Sequence, residues 1–138
     1  MKSSEKGKAI LVLEKSDDGY WVSVQNLPGC YSFGTTIEEA ISNTRNAISE
    51  HISNIPDKEA TPEIFRTAIY DLQIRYDLQT LFQRFKELNK SALAERAGIN
   101  SSLLRQYSNG LAFASEKQKA KIEKAIHQIG TSLLEVRL

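Results

Sequence analysis

The first third of the chain alternates between residues that point to a core and residues that point away from it, which is the pattern of a small β-sheet. Residues 8–14 form an apolar run, and Tyr20–Val24 alternates residue by residue. Residues 16–19 read Ser-Asp-Asp-Gly, a turn composition, so the two runs are predicted to pair as a hairpin. A short third strand over residues 30–33 follows a second turn at residues 26–29.

Helical spacing then replaces this alternation. Thr36 and Glu39 form a capping box. Apolar residues at helical spacing follow and end before Pro56: Ile37, Ala40, Ile41, Thr44, Ile48, Ile52 and Ile55. Residues 57–67 are polar and predict a connecting loop, and alternation returns over residues 68–76 as a fourth strand. Residues 1–76 are therefore predicted to form a βββαβ domain.

The remaining residues, 77–138, are predicted to form an all-α domain, which makes the chain an α+β protein with a boundary near Asp77. Residues 90–110 have the spacing of a helix-turn-helix, in which Gly98 permits the sharp turn and Gly110 ends the second helix. Asn100 or Ser101 is the predicted N-cap of that second helix. A last helix begins near residue 115 and is predicted to be interrupted at Gly130.

The second helix of the motif buries an apolar stripe and turns a polar face outward. That polar face consists of Ser101, at the helix start, and Ser102, Arg105, Gln106 and Asn109. Arginine pairs with guanine, and glutamine or asparagine with adenine, in the major groove of DNA. The motif resembles the lambda-repressor-like helix-turn-helix family, which implies that this helix reads DNA bases; the alternative is a helix pair with a purely structural role.

Cations near the motif extend this hypothesis to the DNA backbone. Lys90 begins the first helix of the motif and is predicted to contact a phosphate. Three lysines at the start of the last helix either do the same or form a solvated face: Lys117, Lys119 and Lys121. The charge distribution agrees, because residues 1–74 hold seven Lys/Arg and eleven Asp/Glu whereas residues 75–138 hold eleven and six. Net charges of −4 and +5 indicate two partners of opposite sign.

A second resemblance covers the N-terminal half. Three segments, Asp-Gly-Tyr-Trp-Val at 18–22, Leu-Pro-Gly-Cys at 27–30 and Gly-Thr-Thr-Ile-Glu-Glu-Ala at 34–40, look like the HicB antitoxin family. The resemblance implies a partial RNase H-like domain followed by a DNA-binding domain. It also implies that the chain neutralises a HicA-like, mRNA-cleaving toxin that uses a histidine, and that it represses the shared operon. The alternative function is a stand-alone transcriptional regulator whose α/β domain senses a ligand or oligomerises.

Four residues of the first hairpin are predicted to contact the toxin. Asp17 and Asp18 supply negative charge at the turn, and Tyr20 and Trp21 supply aromatic area. Trp21 lies on the face opposite Tyr20. It is expected either to pack under the helix, which is the favoured interpretation, or to be an exposed anchor for the partner.

The sequence does not indicate an enzyme, a metal site or a cofactor. Ribonuclease H chemistry needs several carboxylates around two divalent ions, whereas Asp17 and Asp18 suit a turn and Glu38 and Glu39 suit a helix start. Cys30, the single cysteine, is predicted to be a small packed side chain. His51, late in the first helix, is predicted to be a partly buried or C-terminal helix residue, and His127 has no Cys or His nearby to complete a metal site.

The C-terminal residues predict self-association. Leu133, Leu134, Val136 and Leu138 are apolar, and a terminus of this composition rarely stays exposed. Because one helix-turn-helix reads few bases, a homodimer or higher oligomer on an inverted repeat is expected. The lone cysteine, and the absence of a signal peptide or a membrane-length apolar run, predict a cytoplasmic protein without a membrane partner.

Overall fold

A computed structural model of the chain describes residues 7–66 and 70–138, with the side chain of Lys58 excepted. The chain divides into two compact units, of which the first ends at Asp77 and the second begins at Leu78. Within the described part, no helix is long and apolar enough to cross a bilayer. The architecture is α+β, as the sequence predicts, with a sheet and helix followed by helices.

The N-terminal unit is a four-stranded sheet with one long helix. The elements are β1 (Lys8–Lys15), β2 (Tyr20–Val24), β3 (Tyr31–Gly34), α1 (Ile37–Ser53) and β4 (Asp71–Tyr76). The strand order is β3-β2-β1-β4, in which β1 runs antiparallel to β2 and parallel to β4. The predicted hairpin and the predicted βββαβ order are both present.

One face of this sheet is buried because α1 lies across it. The hairpin register pairs Leu13 with Val22 and Leu11 with Val24, and all four side chains are buried. Gly34 lets β3 approach the helix closely, since a Cβ there would lie 2.3 Å from the backbone nitrogen of Ala40. On the other face, the side chains of the four strands are exposed or half-buried and none is buried, and we refer to it as the uncovered face.

The predicted capping box of α1 is present, with one difference in its partners. The hydroxyl of Thr36 accepts a hydrogen bond from the Glu39 backbone N–H at 3.1 Å. The Glu39 carboxylate accepts from the backbone N–H of Thr35 at 2.8 Å, one residue before the cap. Both interactions fix the start of α1 next to the end of β3.

The connection after α1 differs from the predicted polar loop. It contains two short 3-10 turns, Lys58–Ala60 and Glu63–Phe65, and Phe65 is buried in the core edge-on to Tyr70. The fourth strand begins at Asp71, and the predicted strand residues 68 and 69 lie outside the described residues. An isolated aromatic residue in a polar stretch has no periodicity, so the sequence pattern did not indicate its burial.

Asn26 extends the pairing of β1 beyond the end of β2. Its side-chain oxygen accepts from the Ile10 N–H at 3.0 Å, and its side-chain nitrogen donates to the Lys8 carbonyl at 2.9 Å. The neighbouring Gln25 N–H donates to the Ile10 carbonyl at 2.7 Å. The amide thus substitutes for a backbone partner where the second turn leaves the strand.

Replacing Asn26 with alanine is expected to lower the free energy of unfolding by roughly 1–3 kcal/mol, because it leaves an N–H and a carbonyl of β1 without their partner. Trp21 is the single tryptophan of the chain, so its fluorescence during urea unfolding reports on this unit. The exposed neighbour gives the matched control, Gln25→Ala, which is expected to cost less than about 0.5 kcal/mol. Equal losses in the two variants would contradict the role of Asn26.

The C-terminal unit packs four helices around a small core. They are α2 (Leu78–Arg84), α3 (Lys90–Ala97), α4 (Ser101–Ser108) and α5 (Glu116–Leu134). The fully or nearly fully buried side chains come from all four helices and from the turn of the motif: Phe82, Leu93, Ala94, Ile99, Leu104, Tyr107, Ile122 and Ala125.

The prediction that Gly130 interrupts the last helix is wrong. Helix α5 continues through Gly130 to Leu134, and the Thr131 hydroxyl donates to the His127 carbonyl at 2.9 Å across that position. A glycine costs about 1 kcal/mol in a helix interior. Packing of Ile126 and Ile129 against the core offsets this cost.

Candidate nucleic-acid and partner interfaces

Helices α3 and α4 form the predicted helix-turn-helix. Gly98 ends α3 in the left-handed conformation, with φ 72° and ψ 36°, which favours glycine. The cap of α4 is Asn100, whose side-chain oxygen accepts from the N–H groups of Ser102 at 2.9 Å and Leu103 at 3.2 Å. Of the two predicted caps, the structure therefore uses Asn100.

The residues predicted to read bases do not all occupy equivalent positions. Ser102, Arg105 and Gln106 are exposed on α4, on the side opposite the buried Leu104 and Tyr107. Ser101 is half-buried in the first turn of the helix, and Asn109 is exposed but lies one residue beyond its end as the C-cap. The central positions of the outward face are thus Ser102, Arg105 and Gln106.

Arg105 is held by the other helix of the motif. Its Nη2 donates to the Ser91 hydroxyl of α3 at 2.8 Å, and both side chains are exposed. A guanidinium carries five N–H donors in a fixed fork, so this hydrogen bond leaves donors available. The sequence pattern did not indicate Ser91, because helical periodicity does not show which residues of two helices meet.

Lys90 is the first residue of α3 and is half-buried. Its ammonium nitrogen lies 5.8 Å from the centre of the Phe82 ring, a cation–π distance. The three predicted lysines at the start of α5, Lys117, Lys119 and Lys121, are exposed, and Lys119 forms a 3.4 Å ion pair with Glu116. An exposed ion pair contributes little to stability, so the pair with Glu116 does not prevent Lys119 from contacting a phosphate. All of these cations are therefore candidates for phosphate contact.

The uncovered face of the N-terminal sheet carries an aromatic cluster. Trp21 is 51% exposed and Tyr31 is 65% exposed. The register places Trp21 opposite Phe33, and the two ring centroids are 5.0 Å apart with a tilt of 58°. We refer to Trp21, Tyr31 and Phe33 as the open-face cluster.

The favoured expectation that Trp21 packs under the helix is wrong. Strand alternation sends Trp21 to the face opposite Val22, and α1 covers the Val22 face. Its exposure is the one that the alternative interpretation requires, and its role as an anchor stays a prediction. Tyr31 and Phe33 are not among the predicted toxin contacts, although alternation in β3 places both on the face of Trp21, because that inference requires knowing that β3 pairs with β2.

The other predicted toxin contacts lie around this cluster or away from it. Asp17 and Asp18 are exposed in the turn between β1 and β2, and Glu14 is paired with Trp21 across the strands. Tyr20 is half-buried on the opposite face, where it packs against the core and the Lys15 ammonium lies 5.1 Å from its ring centre. The structure therefore places Trp21 beside Glu14 and puts Tyr20 on the other face of the sheet.

The remaining chemically reactive residues have structural surroundings. Cys30 is buried, and burial raises the pKa of its thiol, which disfavours the reactive thiolate. His51 is half-buried in the last turn of α1, and His127 is exposed on α5. Over residues 7–66 and 70–138, no group of three or more His, Cys, Asp or Glu side chains could hold a metal ion.

Both candidate sites are surfaces suited to binding: an aromatic sheet face beside acidic residues, and a helix-turn-helix with a polar outward face. The chain belongs to the HicB-like antitoxin family of bacterial toxin-antitoxin systems, whose model matches residues 9–126.

Individual relatives match a smaller part of the chain. An uncharacterized 14.9 kDa protein in the rep-hol intergenic region of Haemophilus phage HP1 is 46% identical over 54 residues, which are 38% of this chain and 41% of that protein. UPF0150 protein Ta0767 of Thermoplasma acidophilum is 39% identical over 49 residues, which are 35% of this chain and 71% of that protein. The match thus spans less than half the length of the phage protein, and no solved structure matches the chain significantly.

Proposed function

We propose that this chain neutralises a HicA-like, mRNA-cleaving toxin through its N-terminal unit and represses its own operon through its C-terminal unit. The observation that carries this proposal is that a HicB-like chain presents an exposed aromatic sheet face and an exposed polar helix face on two units of opposite charge. One surface is the open-face cluster, and the other is the outward face of α4.

Aromatic exposure and negative charge support the open-face cluster as the toxin surface. A toxin that cleaves mRNA has to bind RNA phosphates, so it carries basic groups that are attracted to an acidic surface. The open-face cluster offers exposed aromatic area, the residue class that most often anchors interfaces. Glu14, Asp17 and Asp18 supply the negative charge next to it.

The geometry of α3 and α4 supports the outward face of α4 as the operator surface. Asn100 and Gly98 fix the turn, so that α4 keeps its apolar side in the core and its polar side exposed. Arg105 and Gln106 have the donor groups that recognise guanine and adenine edges. Lys90 adds a cation at the start of α3, where it can reach the phosphate backbone.

The proposed operator binding also has consequences for the oligomeric state and the cellular location of the protein. Because a single helix-turn-helix reads few base pairs, the protein is proposed to act as a homodimer on an inverted repeat with half-sites about one helical turn apart. The apolar residues of segment 133–138 are candidates for the contact between copies, since all six residues are exposed. Repression of an operon and inhibition of an mRNA-cleaving toxin both take place in the bacterial cytoplasm.

The function is tested with the full-length chain and the short basic protein encoded beside its gene. The purified chain is expected to stop RNA cleavage by that protein at equimolar concentration. It is also expected to shift DNA from upstream of the gene pair in preference to unrelated DNA of the same length. The control is the same protein after heat denaturation.

Each half of the proposal has its own contradicting result. Continued RNA cleavage at excess chain would contradict the antitoxin role. Equal affinity for upstream and unrelated DNA would contradict the repressor role. Operator binding together with no effect on any neighbouring gene product would support a stand-alone regulator instead.

A further inference from the structure

The C-terminal unit exposes large apolar side chains at both ends of α5. Before the helix, Leu111 is 77% exposed and Phe113 is 96% exposed. After its last core contacts, Leu133 is 65%, Leu134 is 88% and Val136 is 56% exposed. The loop of residues 111–114 and the segment of residues 133–138 are thus two apolar patches on one unit.

The loop lacks the chemistry of a DNA contact. Its sequence, Leu-Ala-Phe-Ala, contains no cation and no side-chain hydrogen-bond donor, whereas side-chain contacts to phosphates use such groups. Exposed apolar patches on a polar surface mark contacts with protein or membrane. The operator role of α4 therefore does not explain Leu111 and Phe113.

The helix fixes the separation of the two patches. Helix α5 has 19 residues, which corresponds to about 28 Å at 1.5 Å per residue. A second copy of the chain presents the same two patches at the same separation. When two α5 helices lie antiparallel about a twofold axis, the loop of each copy meets the segment of the other, and one closed contact covers all four patches.

We propose that the chain forms a twofold dimer in which the 111–114 loop of each copy packs against the 133–138 segment of the other across antiparallel α5 helices. This inference rests on the proposed homodimer and specifies its contact. A stable interface buries about 800 Å² on each partner, and these five side chains together with the exposed Leu138 supply area on that scale.

The side chains between the patches are compatible with this arrangement. The outward face of α5 borders a shallow groove of about 740 Å³, which includes the small residues Ala120 and Thr131. These two residues lie at similar distances from the middle of the helix and meet in an antiparallel pair. Lys117, near the start of α5, then comes opposite Glu135, just after its end. In the same arrangement Glu123 of each copy lies close to Lys124 of the other. This attraction offsets the repulsion between the two Lys124 side chains.

The first experiment measures the dimer dissociation constant of the full-length chain by light scattering over a concentration series. Phe113→Glu and Leu134→Glu are each expected to raise it at least about 30-fold, because each places a charge in an apolar contact. Ala92→Glu introduces the same charge at an exposed position of α3 and is expected to leave it unchanged. A dimer that both variants preserve would overturn the proposed contact and leave the homodimer in place.

A second experiment distinguishes the pairing. Chains carrying Phe113→Cys are mixed with chains carrying Val136→Cys and treated with a short bifunctional maleimide; Cys30 stays in both chains because it is only 3% exposed. Cross-linking is expected between the two kinds of chain and not within either kind alone. Cross-linking of Phe113→Cys chains to one another, or a monomeric native protein, would overturn the proposal. Neither readout involves DNA or toxin, so the outcome is separate from that of the proposed function.

Discussion

A Trp21→Ser chain is expected to bind the toxin about 30-fold more weakly, or worse, than the native chain. This corresponds to a loss of at least about 2 kcal/mol, the scale of an aromatic residue at the centre of an interface. The reason is that Trp21 is half exposed, is supported by the Phe33 ring at 5.0 Å and lies opposite Glu14 in the strand register. Calorimetric titration with the partner protein measures the effect.

Conservative variants distinguish the loss of a contact with the toxin from a loss of folding. Trp21→Phe keeps an aromatic ring over Phe33 and is expected to recover most of the affinity. Asp17→Asn and Asp18→Asn are expected to slow association and to weaken its salt dependence, with little change in dissociation, since charges at the rim of an interface act mainly on encounter. Unchanged affinity in a folded Trp21→Ser chain would show that the toxin binds elsewhere.

The second large effect is expected at the operator. Arg105→Ala is expected to cost about 1–3 kcal/mol of operator affinity and to relax specificity at one base pair, because a bidentate contact to guanine is lost. Gel-shift titration against the native operator and a set of single-base variants measures both quantities. Equal affinity of Arg105→Ala and the native chain for the operator would contradict the assignment.

Two further variants distinguish a base contact of Arg105 from a phosphate contact and from the support that Ser91 gives to Arg105. Lys90→Ala is expected to lower the affinity for all DNA sequences similarly. It is also expected to reduce the slope of log affinity against log salt concentration by about one unit, as for the loss of a phosphate contact. Ser91→Ala removes only the 2.8 Å hydrogen bond that holds Arg105. Its effect on operator affinity is expected to be smaller than that of Arg105→Ala, because the guanidinium itself remains.

The elements that the sequence predicted correctly are those governed by local interactions. The Ser-Asp-Asp-Gly turn and the alternation on either side of it gave the β1–β2 hairpin. Thr36 and Glu39 marked the start of α1, and Gly98 marked the turn of the helix-turn-helix. Each of these depends on residues within a few positions of one another, so the pattern along the chain contains the necessary information.

The errors came from interactions between residues that are distant in sequence. Gly130 is unfavourable in a helix by its local propensity, but core contacts of its neighbours Ile126 and Ile129 keep α5 continuous. Phe65 lies in a stretch that is polar by composition, yet it is buried in the core that the strands β1 and β2 and the helix α1 form. Packing with distant partners decided both outcomes, and periodicity does not report such packing.

The sequence by itself determined the order of strands and helices, the caps and turns that delimit them, and the membership of Ser102, Arg105 and Gln106 in one outward helix face. The tertiary structure alone decided which face of the sheet α1 covers, and therefore that Trp21 is exposed beside Phe33 while Tyr20 packs against the core. It also decided that Arg105 meets Ser91 across two helices. Alternation specifies that a strand has two faces, whereas only the packing of a distant helix specifies which of them remains open to a partner.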